Sequence, residues 1–141
     1  MVYVDTSIIV ALLTNEDSAP QVLRWLKQQP SGSLHVSGWT VTEFSSALAL
    51  KIRTKQIDPE QRQTALAAFN RLRSRSLHTL PLSASHYLAA ARFCDREELG
   101  LRAGDSLHVA VAMQAGLPLA TLDVKLAEAC EAIGLSSELL H

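Results

Sequence analysis

Short runs of β-branched or leucine-rich residues alternate with longer segments of helical apolar spacing along the whole chain, and that alternation admits few folds. The runs are Val2–Val4, Leu34–Ser37, Leu77–Leu82, Pro118–Leu122 and Leu135–Leu140, the last a short edge strand. The predicted fold class is therefore α/β, with a central, mainly parallel sheet of about four to five strands flanked by helices. A chain of 141 residues without repeats or long linkers fits one domain, 1–141.

Local signals place the helices. One is predicted from about Ser7 to Leu13, and a second follows Asp17-Ser18-Ala19-Pro20, with Ser18 as N-cap and Pro20 in the first turn. Pro30 to Ser33 reads as a turn, after which Val41, Phe44, Leu48 and Ile52 repeat at helical spacing, with Glu43 in the first turn of their helix. Asp58-Pro59-Glu60-Gln61 starts a helix whose stripe is Leu66, Phe69 and Leu72. Ser83 or Ser85 caps one carrying Leu88, Ala91 and Cys94. A helix from about Ala103 to Ala115 stops at Gly116, and a last one follows Asp123 to about Ala132.

Four acids fall at structural junctions, each next to an apolar strand-like run or in the first turn of a helix-like run: Asp5, Glu43, Asp105 and Asp123. In a parallel sheet all strand-to-helix junctions share one edge, and ligands bind outside the carboxyl ends of the strands. Each acid has an ordinary alternative. Asp5 and Asp123 can cap helices, Glu43 stands at capping-box spacing from Thr40, and Asp105 suits a helix N-terminus. Ser, Thr and Asn cap as well as acids do, so an acid at all four junctions points to a cation site. Carboxylates crowded in a desolvated cleft repel one another until protons or a cation arrive, and a divalent metal is the natural cation. His108, one turn beyond Asp105, can orient a carboxylate or meet a phosphate, but packing is the commoner fate of such a residue. Thr6, Ser7 and Thr121 carry hydroxyls beside the acids, and Trp25 and Trp39 are expected in the core.

Net charge is −1, but residues 51–102 hold ten Lys or Arg against five acids, leaving the middle at +5 and the remainder at −6. That layout suits a polyanion lying against the basic middle, although solvated helix faces explain it too. Cys94 and Cys130 are too few for a disulfide scaffold and are expected as packed free thiols. No apolar run approaches the length of a membrane span and no signal peptide is evident, so a cytoplasmic protein is expected.

The set Val4-Asp5-Thr6-Ser7, Thr42-Glu43-Phe44, Asp105-Ser106-Leu107-His108-Val109-Ala110 and Thr121-Leu122-Asp123-Val124-Lys125-Leu126 resembles the PIN-domain family, and within it the VapC-type toxins. The resemblance covers essentially the whole chain. It implies a Rossmann-like α/β/α PIN fold, metal-dependent endoribonuclease activity as the toxin of a type II toxin–antitoxin pair, a homodimer, and a cognate antitoxin as partner. It also implies Asp5 and Asp105 as the leading ligands for Mg²⁺, or Mn²⁺ in its place, with Glu43 and Asp123 completing the catalytic acids. A hard cation that favours oxygen suits such a set. Basic residues between Lys51 and Arg75 are then the candidates for holding RNA phosphates. Two other readings stand beside it. One is a non-catalytic RNA- or partner-binding module. The other is an aspartyl phosphotransferase of the haloacid-dehalogenase type, which typically has an acid where this chain has Ser7.

Overall fold

A computed structural model describes residues 1–141. Strand β1 (Val2–Val4) leads through Asp5 into helices α1 (Thr6–Leu13) and α2 (Ala19–Lys27). Strand β2 (Leu34–Ser37) passes directly into α3 (Gly38–Arg53), followed by α4 (Pro59–Arg75). Strand β3 (Leu77–Leu80), ended by Pro81, precedes α5 (Ala84–Asp95), a 3-10 turn (Glu97–Leu99) and α6 (Ala103–Ala115). Strand β4 (Leu119–Thr121), α7 (Val124–Ile133) and β5 (Ser137–Leu139) complete the chain.

Local chemistry sets several boundaries as expected. Asp58 caps α4 reciprocally: its Oδ1 accepts from Gln61 N at 2.7 Å, and its own N–H donates to Gln61 Oε1 at 2.8 Å. Helix α6 closes on Gly116 at φ +68°, a left-handed turn that a β-carbon would strain.

All four pairings are parallel, in the order β3-β2-β1-β4-β5. The chain steps outward from β1 to β3, then returns to lay β4 against the other side of β1. Between β1 and β4 the winding reverses, and a sheet of this kind opens a crevice at such a point, beyond the strands' carboxyl ends. Alternation along β1 divides the core: Val2 and Val4 join Ile8, Val36, Phe44 and Phe69 on one face. Tyr3 turns to the other, with Val109, Leu119, Leu126 and Cys130. The α/β architecture with a five-stranded parallel sheet flanked by helices is thus as the sequence predicts.

Five local expectations are corrected. Helix α3 begins at Gly38, immediately after β2, so Glu43 is its sixth residue rather than part of the first turn. Thr40 is then the partner in the cap and not the cap itself: Ser37 N donates to Thr40 Oγ1 at 3.2 Å. On α5 the buried face carries Ala90, with Ala89 and Phe93 packed beside it, while Leu88, Ala91 and Cys94 are exposed. The stripe is rotated because α5 packs chiefly on α6. Cys94 is therefore not a packed thiol, whereas Cys130 is. Ser18 stands at the N-cap of α2, but its side chain makes no capping bond.

Candidate active site

Asp5 closes β1 and occupies the N-cap position of α1, yet its carboxylate accepts nothing from that helix's backbone. Oδ2 instead accepts from Ser7 Oγ at 2.7 Å and from Thr121 Oγ1 at 2.8 Å, which ties the ends of β1 and β4 together. The residue is only 5% exposed. Two hydroxyl donors fix one oxygen, and the other lies 3.7 Å from His108 Nε2.

His108 is the residue whose role the sequence understates. It is fully buried on α6, with Nδ1 2.6 Å from the Tyr3 hydroxyl. That hydroxyl donates its only proton to Ser37 Oγ at 2.8 Å, so Nδ1 must be the donor to Tyr3. Nε2 faces Glu43 Oε1 in a very short hydrogen bond and Thr6 Oγ1 at 3.1 Å. Thr6 gives its own proton to Glu43 Oε1 at 2.7 Å, so Nε2 also donates. Both ring nitrogens carry protons, and the buried ring is an imidazolium. Burial works against that charge. The hydrogen bond to Glu43 and the charges of Asp5, Glu43 and Asp105 outweigh it and hold the imidazole above its usual range. Glu43 responds in the opposite direction: burial would raise its carboxyl, but the bond and charge of His108, with smaller help from Thr6 and Trp39, bring it below the ordinary value.

Asp105, the third residue of α6, has no comparable support. Its carboxyl is raised by burial first, then by the charges of Asp5 and Asp123, with partial relief from His108 and a further push from Glu43. Asp123 is exposed and does cap α7, Oδ1 accepting from Lys125 N at 2.9 Å and from Leu126 N at 3.3 Å. Its second oxygen is free of that duty.

All four acids line one open cleft of about 930 Å³, together with Thr6 and Ser7. A second cavity of about 610 Å³ adjoins it and shares Glu43, Arg102, Asp105 and Asp123. The tightest group joins Asp5, Glu43 and His108, one potential ligand atom of each lying within 4.8 Å of the others. A doubly protonated ring has no lone pair to offer, so within that group only the carboxylates can take a cation.

Two residues outside the predicted set shape this site. Gly104 brings the start of α6 so close to α3 that a β-carbon there would lie 2.7 Å from Glu43 Oε2 and 3.3 Å from Trp39 Nε1. Trp39 is half-buried and lines the second cavity, so it is not wholly a core residue, whereas Trp25 is buried and donates to Glu138 Oε1 at 2.9 Å. The basic residues between Lys51 and Arg75 are not brought to either cavity. Lys51 is held by Glu16 Oε2 at 2.8 Å, and Arg73 lies over the Phe69 ring. Helix α4, which carries four of these residues, packs against α1, α3 and β3 rather than entering the cleft. The cations beside the acids are Arg102 and Lys125.

No helix is long and apolar enough to cross a membrane. Among curated protein sequences no match is found. Solved structures do resemble this chain in fold. VapC20 of Mycobacterium tuberculosis, described as a sarcin-ricin loop cleaving toxin, superposes with a TM-score of 0.74 at 20% identity, covering 96% of each chain. FitAcB from Neisseria gonorrhoeae gives 0.69 at 20% identity, covering 97% of this chain and 96% of that one. VapBC2 from Rickettsia felis, bound to a DNA fragment from its promoter, gives 0.69 at 20% identity with all of both chains covered. The sequence model of the PIN domain matches residues 2–132, a span holding all five of Asp5, Glu43, Asp105, His108 and Asp123. On that match the chain belongs to the PIN-domain family.

Proposed function

We propose that the chain is a single PIN domain that acts as a divalent-metal-dependent endoribonuclease, the toxin of a type II toxin–antitoxin pair. The observation that carries this reading is the set of four acids lining one cleft at the sheet's reversal point, where burial first and then the charges of Asp5 and Asp123 push Asp105 towards protonation against only partial relief from His108. His108 is hydrogen-bonded to Glu43 and relieves Asp105 only in part.

A hard divalent ion fits such a set. Asp5 and Asp105 offer carboxylate oxygens, with Glu43 and the free oxygen of Asp123 beside them, and Mg²⁺ or Mn²⁺ is the ion this chemistry favours. When bound, the ion would supply Lewis acidity towards a phosphodiester and lower the pKa of its own water. The chain's residues do the positioning. Ser7 and Thr121 hold Asp5 in one rotamer, while His108 and Thr6 fix Glu43 with its second oxygen towards Gly104. The protonated ring also keeps Glu43 ionised in a half-buried position.

The substrate class is supported by family membership and by VapC20, whose description as a sarcin-ricin loop cleaving toxin is a property of that relative. A cognate antitoxin is proposed as partner from the VapBC2 and FitAB structures, and a homodimer and cytoplasmic location are part of the same proposal. The deciding experiment is Mn²⁺ titration by calorimetry, paired with cleavage of total RNA in Mg²⁺ and in excess chelator. A saturable site lost in Asp5→Asn and Asp105→Asn, with cleavage lost alongside it, is expected. Undiminished cleavage in chelator would remove the metal mechanism. A protein that binds RNA but neither Mn²⁺ nor Mg²⁺ would be a binding module.

A further inference from the structure

The two cavities share Glu43, Asp105, Asp123 and Arg102 in their linings, so they lie side by side along the acids. The second cavity is chemically distinct. It adds Lys125 to Arg102, and Trp39 is its single apolar lining side chain. Arg102 stands at the N-cap of α6 and Lys125 in the first turn of α7. A cation at a helix N-terminus opposes the helix dipole, so helix stability does not account for either. Neither forms an ion pair with a neighbouring acid, and both are exposed. Two free cations and the uncapped start of α6 thus face one small volume beside a floor of carboxylates, the start of α7 being already capped by Asp123. That is a cradle for anions adjoining a site that would otherwise repel them.

We propose that Arg102 and Lys125, with Trp39 as the apolar wall, hold the phosphates and a base of a single-stranded RNA on one side of the bond to be cut. The proposal rests on the ribonuclease reading and names how the same cleft takes its strand. A single strand is favoured because Asp5 lies recessed at the floor, where the backbone of a flexible, unpaired strand reaches more easily than that of a duplex. Base stacking on an indole is indifferent to sequence, and so are two phosphate contacts. This cavity therefore contributes hold rather than base choice.

The test is fluorescence anisotropy of a labelled 2′-O-methyl single-stranded oligonucleotide, which cannot be cut, in chelator across a salt series. Arg102→Ala and Lys125→Ala are each expected to lower the slope of log K against log salt by about 0.7 and to weaken binding several-fold. Both substitutions spare the fold, since Arg102 makes no side-chain capping bond and Asp123 caps through the backbone N–H of residue 125. Trp39→Leu is expected to weaken binding with the slope unchanged. Arg24→Ala and Arg92→Ala, on α2 and α5, serve as controls. In cleavage assays Arg102→Ala and Lys125→Ala should raise KM about tenfold with kcat nearly constant, unlike Asp5→Asn, which should remove kcat. Unchanged slopes in both variants, or a loss confined to Arg71→Ala and Arg75→Ala on α4, would overturn the proposal. So would failure of the native protein to bind the oligonucleotide. Binding with these slopes but without cleavage would instead sink the ribonuclease reading alone.

Discussion

Gly104→Ala separates the site's geometry from the fold's stability. A β-carbon at this position would come 2.7 Å from Glu43 Oε2, roughly 0.7 Å inside ordinary contact, and 3.3 Å from Trp39 Nε1. The backbone itself raises no objection, because Gly104 lies in the first turn of α6 and is not among the glycines at positive φ. Glu43 must yield, since its Oε2 is the free end of the side chain while Oε1 is tied to Thr6 and His108. Overpacking costs about 1–3 kcal/mol, and alanine's helical preference returns up to about 1 kcal/mol. The net loss is thus about 0–2 kcal/mol. At about 2–5 °C per kcal/mol for a chain of this length, Tm should fall by at most about 10 °C. The displaced carboxylate should cost far more where it matters, about 10–100-fold in Mn²⁺ affinity. Calorimetric titration beside thermal unfolding measures both. In a Glu43→Gln background the same substitution should add little further loss of affinity, because the group it displaces is already disabled. Native Mn²⁺ affinity and RNA cleavage in Gly104→Ala would show that the close approach of α6 to α3 does not set the site.

Asp105→Asn should raise the Tm of the metal-free protein, by relieving a carboxylate crowded by Asp5 and Asp123, while abolishing the Mg²⁺-dependent rise in Tm. A fall in metal-free Tm would contradict the crowding. His108→Ala strips the imidazolium from Glu43 and the Tyr3 hydroxyl of a partner; urea unfolding should show a loss of about 3 kcal/mol, the low end for a broken buried pair because Glu43 can partly hydrate. The pH dependence follows from the same pair. His108 is raised above its ordinary 6.5, so its contribution is complete below pH 6.5 and fades as pH climbs through the folded value; Glu43 is lowered from 4.5, so its contribution is complete above pH 4.5 and fades as pH drops through its own. The metal-free protein should therefore gain most from this pair between about pH 4.5 and 6.5 and lose it towards alkaline pH. His108→Ala should flatten that alkaline decline, and an unchanged profile in the variant would refute the assignment.

What could be read from the sequence was mostly local. The Asp58 cap, the stop at Gly116 and strand β1 depend on neighbours within a few residues, and the structure keeps them. Asp5 and Asp123 were visible because a parallel sheet places every strand–helix junction on one edge, whereas Glu43, inside α3, and Asp105, in the first turn of α6 after a 3-10 turn, reach that edge through packing. What escaped is tertiary. The partners of His108 lie 65, 102 and 105 residues away, and nothing at Glu43, Thr6 or Tyr3 announces them. The approach at Gly104 depends on two helices meeting, and the exposed Leu88 depends on which face of α5 meets α6. The basic middle misled for a related reason: charge counted along the chain does not say that Arg62 to Arg75 ride on α4, clear of both cavities, while Arg102 and Lys125 reach them.

The sheet order has a temporal side. Strand β1 is synthesised well before its neighbour β4, which lies more than a hundred residues downstream, and Asp5 gains the Thr121 hydroxyl only when that strand arrives. Pairing across such a separation is slow and late in folding. Asp123 follows later still. A growing polypeptide thus carries only scattered carboxylates until residue 123 has been translated, and the four acids come together only after synthesis has passed β4.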